Sequence, residues 1–400
     1  MKGFKILFRT ILVIVISLIL IISGLYIAGH GYIIPAVRFT YLKGFTTAHI
    51  DDYPYFKNHL IKAGEPQYWP LHEKINQFQL SDTLRKELED YQSTGFAVIK
   101  DGKLLYEEYW DGYSDQSLTN SFSMAKTVTT MLLGKAIEQG YIASVDQPVT
   151  DFIPEFRDDP LGRLCTVGHL SGMRSGFDWT EAYYSPFSPT TEAYYGNDIE
   201  RMMLKRRFSH QPGGLFKYAS ADTQLLGIIL KRATGKNLAG YLSEQFWIPM
   251  GMEHDAYWSL SGGLEKTFCC LNTNVRDYAR LGQLLLQKGN WNGRQLLDSA
   301  FVEWMYTPDP AAFESGKPRK YAHSLWIDEE HQPSFYAFLG HLGQRIIIIP
   351  SENMVIVRLG KKEDQRPLGR GHLDTDVYYV VDECVKGTEE LTCVSIPPSP

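Results

Sequence analysis

Ser123-Met124-Ala125-Lys126-Thr127-Val128-Thr129-Thr130-Met131-Leu132-Leu133-Gly134-Lys135-Ala136-Ile137-Glu138-Gln139 places Met124, Val128, Met131, Leu132 and Ala136 at steps of three and four residues. That spacing predicts one helix from Ser123 to Gln139, stopped by Gly140. Ser123 and Lys126 then lie on one face, a turn apart. A helix N-terminus adds partial positive charge and free N–H groups. A nucleophilic serine needs such surroundings: a base in reach and donors for an oxyanion. Taken alone, the S-x-x-K pattern is weak, since about one is expected by chance in a chain this long. Its plain alternative is a helix-capping Ser123 beside a solvated Lys126.

Two stretches further along add to it. Lys217-Tyr218-Ala219-Ser220 follows Gln211-Pro212-Gly213-Gly214 and precedes a predicted helix from Ala221 to Ala233. Tyr218 and Ser220 are two apart, and a tyrosine hydroxyl near a lysine can relay a proton. The alternative is a capping serine with a packing tyrosine. Gly340-His341-Leu342-Gly343-Gln344 opens an apolar run, Arg345 to Ile349. Glycine there lets backbone N–H groups come close to a substrate, unless it is an ordinary turn residue.

The order S-x-x-K, Y-x-S, H-x-G resembles the serine β-lactamase and penicillin-binding protein superfamily, and within it the class C β-lactamase-related branch. Thr166-Val167-Gly168-His169-Leu170-Ser171-Gly172-Met173, Asn274-Val275-Arg276-Asp277-Tyr278-Ala279-Arg280-Leu281-Gly282, Asn290 to Gln295 and Gly343 to Gly360 are similar to further family segments, so the likeness runs over roughly residues 90–385. The resemblance implies an α+β fold of three layers, α/β/α, with an antiparallel sheet and a helical subdomain across the cleft. It implies Ser123 as the acyl-forming nucleophile, Lys126 as its base and Tyr218 as proton donor to the leaving group. Ser220 would support Lys126 and Tyr218. The backbone N–H groups of Ser123 and Gln344, beside Gly343, would form the oxyanion hole. Tyr194 falls near the place where 6-aminohexanoate-dimer hydrolases use a tyrosine. Class C β-lactamases usually carry Asn at the Ser220 position and Lys at the His341 position. Ser and His there resemble the esterase and amide-hydrolase members, and a neutral His holds a β-lactam carboxylate less well than Lys does. The expectation is a serine hydrolase of small esters or amides with no cofactor and no metal. The competing readings are a β-lactamase or DD-peptidase acting on cell-wall peptides, and a low-turnover penicillin-binding sensor.

Outward from these motifs, Thr94 to Ile99 and Leu104 to Trp110 read as a hairpin across Asp101-Gly102. His323 to Ile327, Phe335 to Leu339, Gln344 to Ile349 and Met354 to Leu359 read as strands, and Asn274 to Gln287 and Asp374 to Val385 as helices. The two strand groups are expected to share one antiparallel sheet around a helical middle. His323 and His331, near Asp328, Glu329 and Glu330, lack metal-ligand spacing and read as surface residues.

Thr10 to Val37 contains no Asp, Glu, Lys or Arg, and Lys2, Lys5 and Arg9 precede it. About 20 apolar residues cross a bilayer as a helix. An uncleaved anchor with a cytoplasmic N-terminus is expected, placing the catalytic domain outside the cytoplasm of a bacterial inner membrane protein; a cleaved signal peptide is the alternative. The expected organisation is 1–38 flank and anchor, 39–89 stalk and lead-in, 90–388 hydrolase domain and 389–400 tail. Over the 400 residues, 44% are hydrophobic, 22% are charged and the net charge is −6, with Lys and Arg (40) fewer than Asp and Glu (46). That balance argues against nucleic acid as a partner. The 5 cysteines show no C-x-x-C spacing; Cys384 and Cys393 are close enough in sequence to be weighed as a pair.

Overall fold

A computed structural model describes residues 2–75, 77–307, 321–366 and 373–393. Its centre is an antiparallel sheet of six strands in the order Trp326–Asp328, Phe335–Gly340, Gln344–Ile349, Met354–Gly360, Ser93–Lys100, Lys103–Tyr109. The early hairpin and the late strands meet where Val357 pairs with Ala97 and Ile356 with Val98. Both faces of the sheet are covered, and the side chains sort by the two-residue period of a strand. Ala97, Ile99, Ile346, Ile348, Val355 and Val357 face the larger core. Their alternates Phe96, Val98, Ile347, Ile349, Met354 and Ile356 face a second core. This explains the unbroken Ile346–Ile349 run: each residue is buried, on one side or the other.

The helices Ala125–Glu138, Ser220–Thr234 and Val275–Leu286 contribute to the larger core. The Val275–Leu286 helix begins where the Asn274 side chain accepts a hydrogen bond from Asp277 N. The helices Asp82–Asp90 and Thr375–Cys393 contribute to the second core. Helix, sheet and helix make the three layers expected of an α+β chain of this kind.

A smaller antiparallel sheet runs Asn58–Ile61, Ala256–Ser261, Leu271–Thr273, Thr119–Asn120, with Leu264–Glu265 paired to Ala256–Ser261. It sets the entry to the S-x-x-K segment, because Thr119–Asn120 sits directly upstream of Ser123. The aromatic lead-in before residue 90 is more regular than its sequence suggests. It supplies one strand of this sheet and the Asp82–Asp90 helix, capped by Ser81.

Lys2–Ile27 is a single helix whose segment Gly3–Ile27 is long and apolar enough to cross a membrane, with none of it buried against the rest of the chain. After it, Ile33–Phe39 forms a short helix that packs Ile33 and Ala36 inward.

Three expectations are corrected. The strand read at His323 to Ile327 begins only at Trp326, because Ser324 has a left-handed φ of 64° that breaks extended backbone. His323 is buried rather than on the surface: its ring stacks on Trp304 at 3.5 Å and its Nδ1 lies 3.0 Å from Ser171 Oγ. Cys384 and Cys393 sit nine residues apart on one helix, Thr375–Cys393. That is about 13.5 Å along the axis, beyond the reach of a disulfide. Cys384 is a buried free thiol, and the Cys393 side chain lies outside the described residues. The disulfide present joins the adjacent Cys269 and Cys270.

Candidate active site

The chain turns sharply into the Ala125–Glu138 helix. Phe122 has φ 43°, a left-handed value that costs a bulky residue energy. Asn120 holds the turn: its Oδ1 accepts from Phe122 N at 2.8 Å and from Cys270 N at 3.2 Å. Ser123 thereby lies part-exposed between buried Phe122 and Met124, on a short helical turn that leads into the main helix.

Lys126 is buried, and its Nζ donates to Ser123 Oγ at 2.9 Å and to the Phe268 carbonyl at 2.9 Å. Both partners are neutral, so burial pulls the amine down to about 8 while the more distant Glu181 carboxylate pulls it up. Lys126 Nζ stands 5.0 Å from the Tyr218 ring centroid. The Tyr218 hydroxyl hydrogen-bonds to Ser123, and burial of that hydroxyl raises its pKa. Ser123, Lys126 and Tyr218, drawn from two segments far apart in the chain, thus form one cluster.

Ser220 is brought alongside by Glu181. Glu181 accepts from Ser220 Oγ at 2.7 Å, from Ser220 N at 2.9 Å and from Trp179 Nε1 at 2.7 Å. Tyr183 hydrogen-bonds to the same carboxylate. Glu181 was not singled out in the sequence; it lies in an irregular stretch with no periodic signal.

His341 stacks on Tyr183, with centroids 5.2 Å apart and rings 23° from parallel, and meets Phe122 edge-on. Its Nδ1 is 3.1 Å from Glu363 Oε2, close enough for an ion pair but off the angle of a hydrogen bond. Next to it, Leu342 and Gly343 have φ of 58° and 79°. Gly343 is required there because a Cβ would stand 1.6 Å from Arg358 Nη1. The Gln344 side chain closes this turn by donating to the carbonyls of His341 and Gly360.

Tyr194 lines the cleft beside Ser123, but its hydroxyl is engaged elsewhere. It donates to Asp52 Oδ2 at 2.6 Å and accepts from Asn120 Nδ2 at 2.8 Å. Lys266 lies under it, donating to the Tyr194 carbonyl at 2.6 Å. Burial raises Asp52 and lowers Lys266.

Two cavities meet at Ser123. One is lined by Ala36, Val37, Thr40, Tyr184, Tyr194 and Cys269 among others. The other is lined by Tyr218, Trp326, Arg345, Glu363 and Asp374 among others. Ser123, Tyr183 and His341 border both. Among the described residues no cluster of His, Cys, Asp and Glu is placed to hold a metal. The adjacent Cys269 and Cys270 were the one visible sign of the disulfide beside this cleft.

A family description, Beta-lactamase, matches residues 80–377. The 6-aminohexanoate-dimer hydrolase of Paenarthrobacter ureafaciens is 24% identical over 309 residues, covering 70% of this chain and 76% of that one. A Bacillus anthracis structure provisionally described as a 6-aminohexanoate-dimer hydrolase superposes with a TM-score of 0.72 at 23% identity, covering 88% of this chain and 93% of its own. A family VIII carboxylesterase superposes with a TM-score of 0.60 at 16% identity, covering 80% of this chain and 99% of its own. Likenesses this remote in sequence show the fold alone, whereas the family match spans the hairpin, the Ser123 turn, Tyr218 and the His341 turn together. The chain therefore belongs to the beta-lactamase family and is a serine hydrolase on that family's fold.

Proposed function

We propose that the chain is a membrane-anchored hydrolase that cleaves an ester or amide through an acyl-enzyme on Ser123. The observation that carries this reading is the 2.9 Å contact between Ser123 Oγ and a lysine amine brought down to about 8 by burial. At pH 7 about a tenth of such amines are neutral and able to take a proton. Lys126 removes the Ser123 proton as Oγ attacks the carbonyl carbon. The backbone N–H groups of Ser123 and Gln344 receive the oxyanion. Tyr218 passes a proton to the leaving group as its bond to the acyl carbon breaks. Water, deprotonated by the same pair, then releases the acid. Ser220, fixed by Glu181, and His341, between the two cavities, position the substrate. Tyr194 acts as wall rather than as proton donor, because its hydroxyl is already spent on Asp52.

The Lys2–Ile27 helix anchors the enzyme, its basic flank on the cytoplasmic side and the catalytic domain outside the cytoplasm. The N-terminal residue of the mature protein tests this: a start beyond residue 27 would mean a cleaved signal.

The catalytic test uses the purified full chain with p-nitrophenyl esters, nitrocefin and a fluorophosphonate probe. Labelling and ester turnover are expected, both lost in Ser123→Ala. Tyr218→Phe is expected to slow turnover about 10²–10⁴-fold. No labelling and no turnover of any ester would overturn the reading. Fast nitrocefin hydrolysis would shift it to a β-lactamase.

A further inference from the structure

The two cavities at Ser123 differ in chemistry and in origin. The second is bordered by Arg345, Glu363 and Asp374, with Arg345 paired to Asp374. It sets these charged groups among apolar ones such as Trp326, Leu339 and Leu373, and is the more polar of the two. The first is mostly aromatic and aliphatic, and part of its wall comes from Ala36, Val37, Thr40, Tyr41 and Ala48. Those residues follow the apolar Lys2–Ile27 helix after only a short connection. The helix that carries Ala36 and Val37, Ile33–Phe39, packs against Pro189–Tyr195, which carries Tyr194. The cleft wall and the apolar helix are thus one continuous piece of chain.

The rim of this cleft is apolar and open. Tyr41 is 53% exposed and Tyr184 59%, and both border the cleft; nearby Leu42 is 75% exposed and Phe187 63%. Phe187 meets His30 edge-on at 5.6 Å, directly after the apolar helix. Exposed apolar side chains clustered around a pocket mouth mark contact with something apolar. Continuity with a helix suited to a bilayer identifies that something as lipid.

The proton donor assigns the direction of the substrate. Tyr218 borders the more polar cavity and does not appear in the wall of the apolar cleft. The leaving group therefore departs into the cavity that holds the charged groups, and the acyl part occupies the more apolar cleft.

We propose that the substrate is an acyl-chain ester or amide of a polar group, taken from the membrane, with its apolar chain lying in the cleft walled by residues 36–48. This rests on the serine hydrolase reading and extends it to a substrate class. In balance, the acyl–oxygen or acyl–nitrogen bond breaks, the acyl group moves to Ser123 Oγ and then to water, and the polar alcohol or amine leaves with a proton.

The test measures kcat/KM of the full chain in phosphatidylcholine vesicles for p-nitrophenyl acetate, butyrate and octanoate, each below its micelle concentration. The ratio of octanoate to acetate is expected to be at least tenfold, what burial of about two methylenes supplies. Val37→Asp is expected to cut that ratio at least fivefold. Should Val37→Asp fail to fold by circular dichroism, Tyr41→Asp at the exposed rim reads the same ratio. A ratio at or below one in the unmodified enzyme overturns the proposal, as does an unchanged ratio in a folded variant. In either case Ser123-dependent turnover of the acetate ester leaves the hydrolase reading standing. Absence of all turnover and of fluorophosphonate labelling overturns that reading, and the proposal with it.

Discussion

At Lys126 the fold sets burial against charge. As the proposed base the amine must be neutral, so a pKa of about 8 is expected to set the acid limb of kcat/KM, with activity rising as pH increases. Glu181 raises this pKa from a distance while it fixes Ser220. Glu181→Gln removes the negative charge, so the limb should move to lower pH, even as turnover falls because Ser220 loses part of its hold. A pH–rate profile separates the two effects, since misplacement of Ser220 alone would lower the plateau without moving the limb. The same lysine has a stability cost. Its folded pKa lies below the unfolded value near 10.4, so between about 8 and 10 the unfolded chain binds more protons and stability rises with pH. At pH 7 the charged amine is buried at a cost of up to about 3 kcal/mol, less what its hydrogen bonds return. Lys126→Met should therefore be inactive yet melt higher at pH 7, with the gain shrinking toward pH 10. A lower Tm at pH 7 would show that the hydrogen bonds outweigh the burial.

Among the elements, the turns around the site carry strain that the regular structure absorbs. Phe122, Cys270 and Leu342 all have positive φ; Phe122 adjoins Ser123, and the other two adjoin Cys269 and His341, which line the cleft with it. Gly343 is the position where side-chain space decides. With φ 79° and Arg358 Nη1 at 1.6 Å from the site of a Cβ, Gly343→Ala combines a left-handed penalty of about 1–2 kcal/mol with a clash against a buried guanidinium. It should lower Tm by several degrees and reduce kcat for even the smallest ester, measured by thermal melt and steady-state kinetics. An unaltered kcat would mean that the turn does not place Gln344. From its motif this glycine reads as a point of close substrate approach, whereas packing against Arg358 is what excludes a side chain. That contrast describes how legible the chain was. Elements with a sustained period were readable: Ser220–Thr234 and Val275–Leu286 lie within a residue or two of where periodicity put them, and the four Ile of Gln344–Ile349 fit a strand buried on both faces. Ser123, Lys126 and Tyr218 were readable because their spacing is a motif. Glu181, Asn120 and the Phe268 carbonyl were not, because they act through tertiary contacts made by loops and short strands, where neither period nor spacing survives. The strand Asn58–Ile61 was missed for the same reason: it is short, and its partner Ala256–Ser261 lies far along the chain.

Over the whole molecule, an apolar helix ahead of a hydrolase fold suggests two parts separable at any point between. The contacts of residues 29–48 argue otherwise. Tyr32, Ile33, Ala36, Thr40 and Ala48 are buried, and Ala36, Val37 and Thr40 wall the cleft that opens on Ser123. Just beyond them, the Ile50 carbonyl accepts from Asn120 N at 2.8 Å, so the same segment leads into the turn that presents Ser123. Removing only the helix, in a fragment 29–400, should leave an enzyme whose turnover of a short ester stays within about threefold of the full chain, a change of about 0.7 kcal/mol or less, because the helix buries nothing against the rest of the chain. Removing the segment too, in a fragment 49–400, strips the buried Tyr32, Ile33, Ala36 and Ala48, of which Ile33 alone is worth about 1.5–3 kcal/mol. It should melt well below the 29–400 fragment and lose turnover at least tenfold, with an increase in KM as the cleft loses its wall. Equal melting temperatures and equal kinetics for the two fragments would show that the segment is a tether and not part of the site.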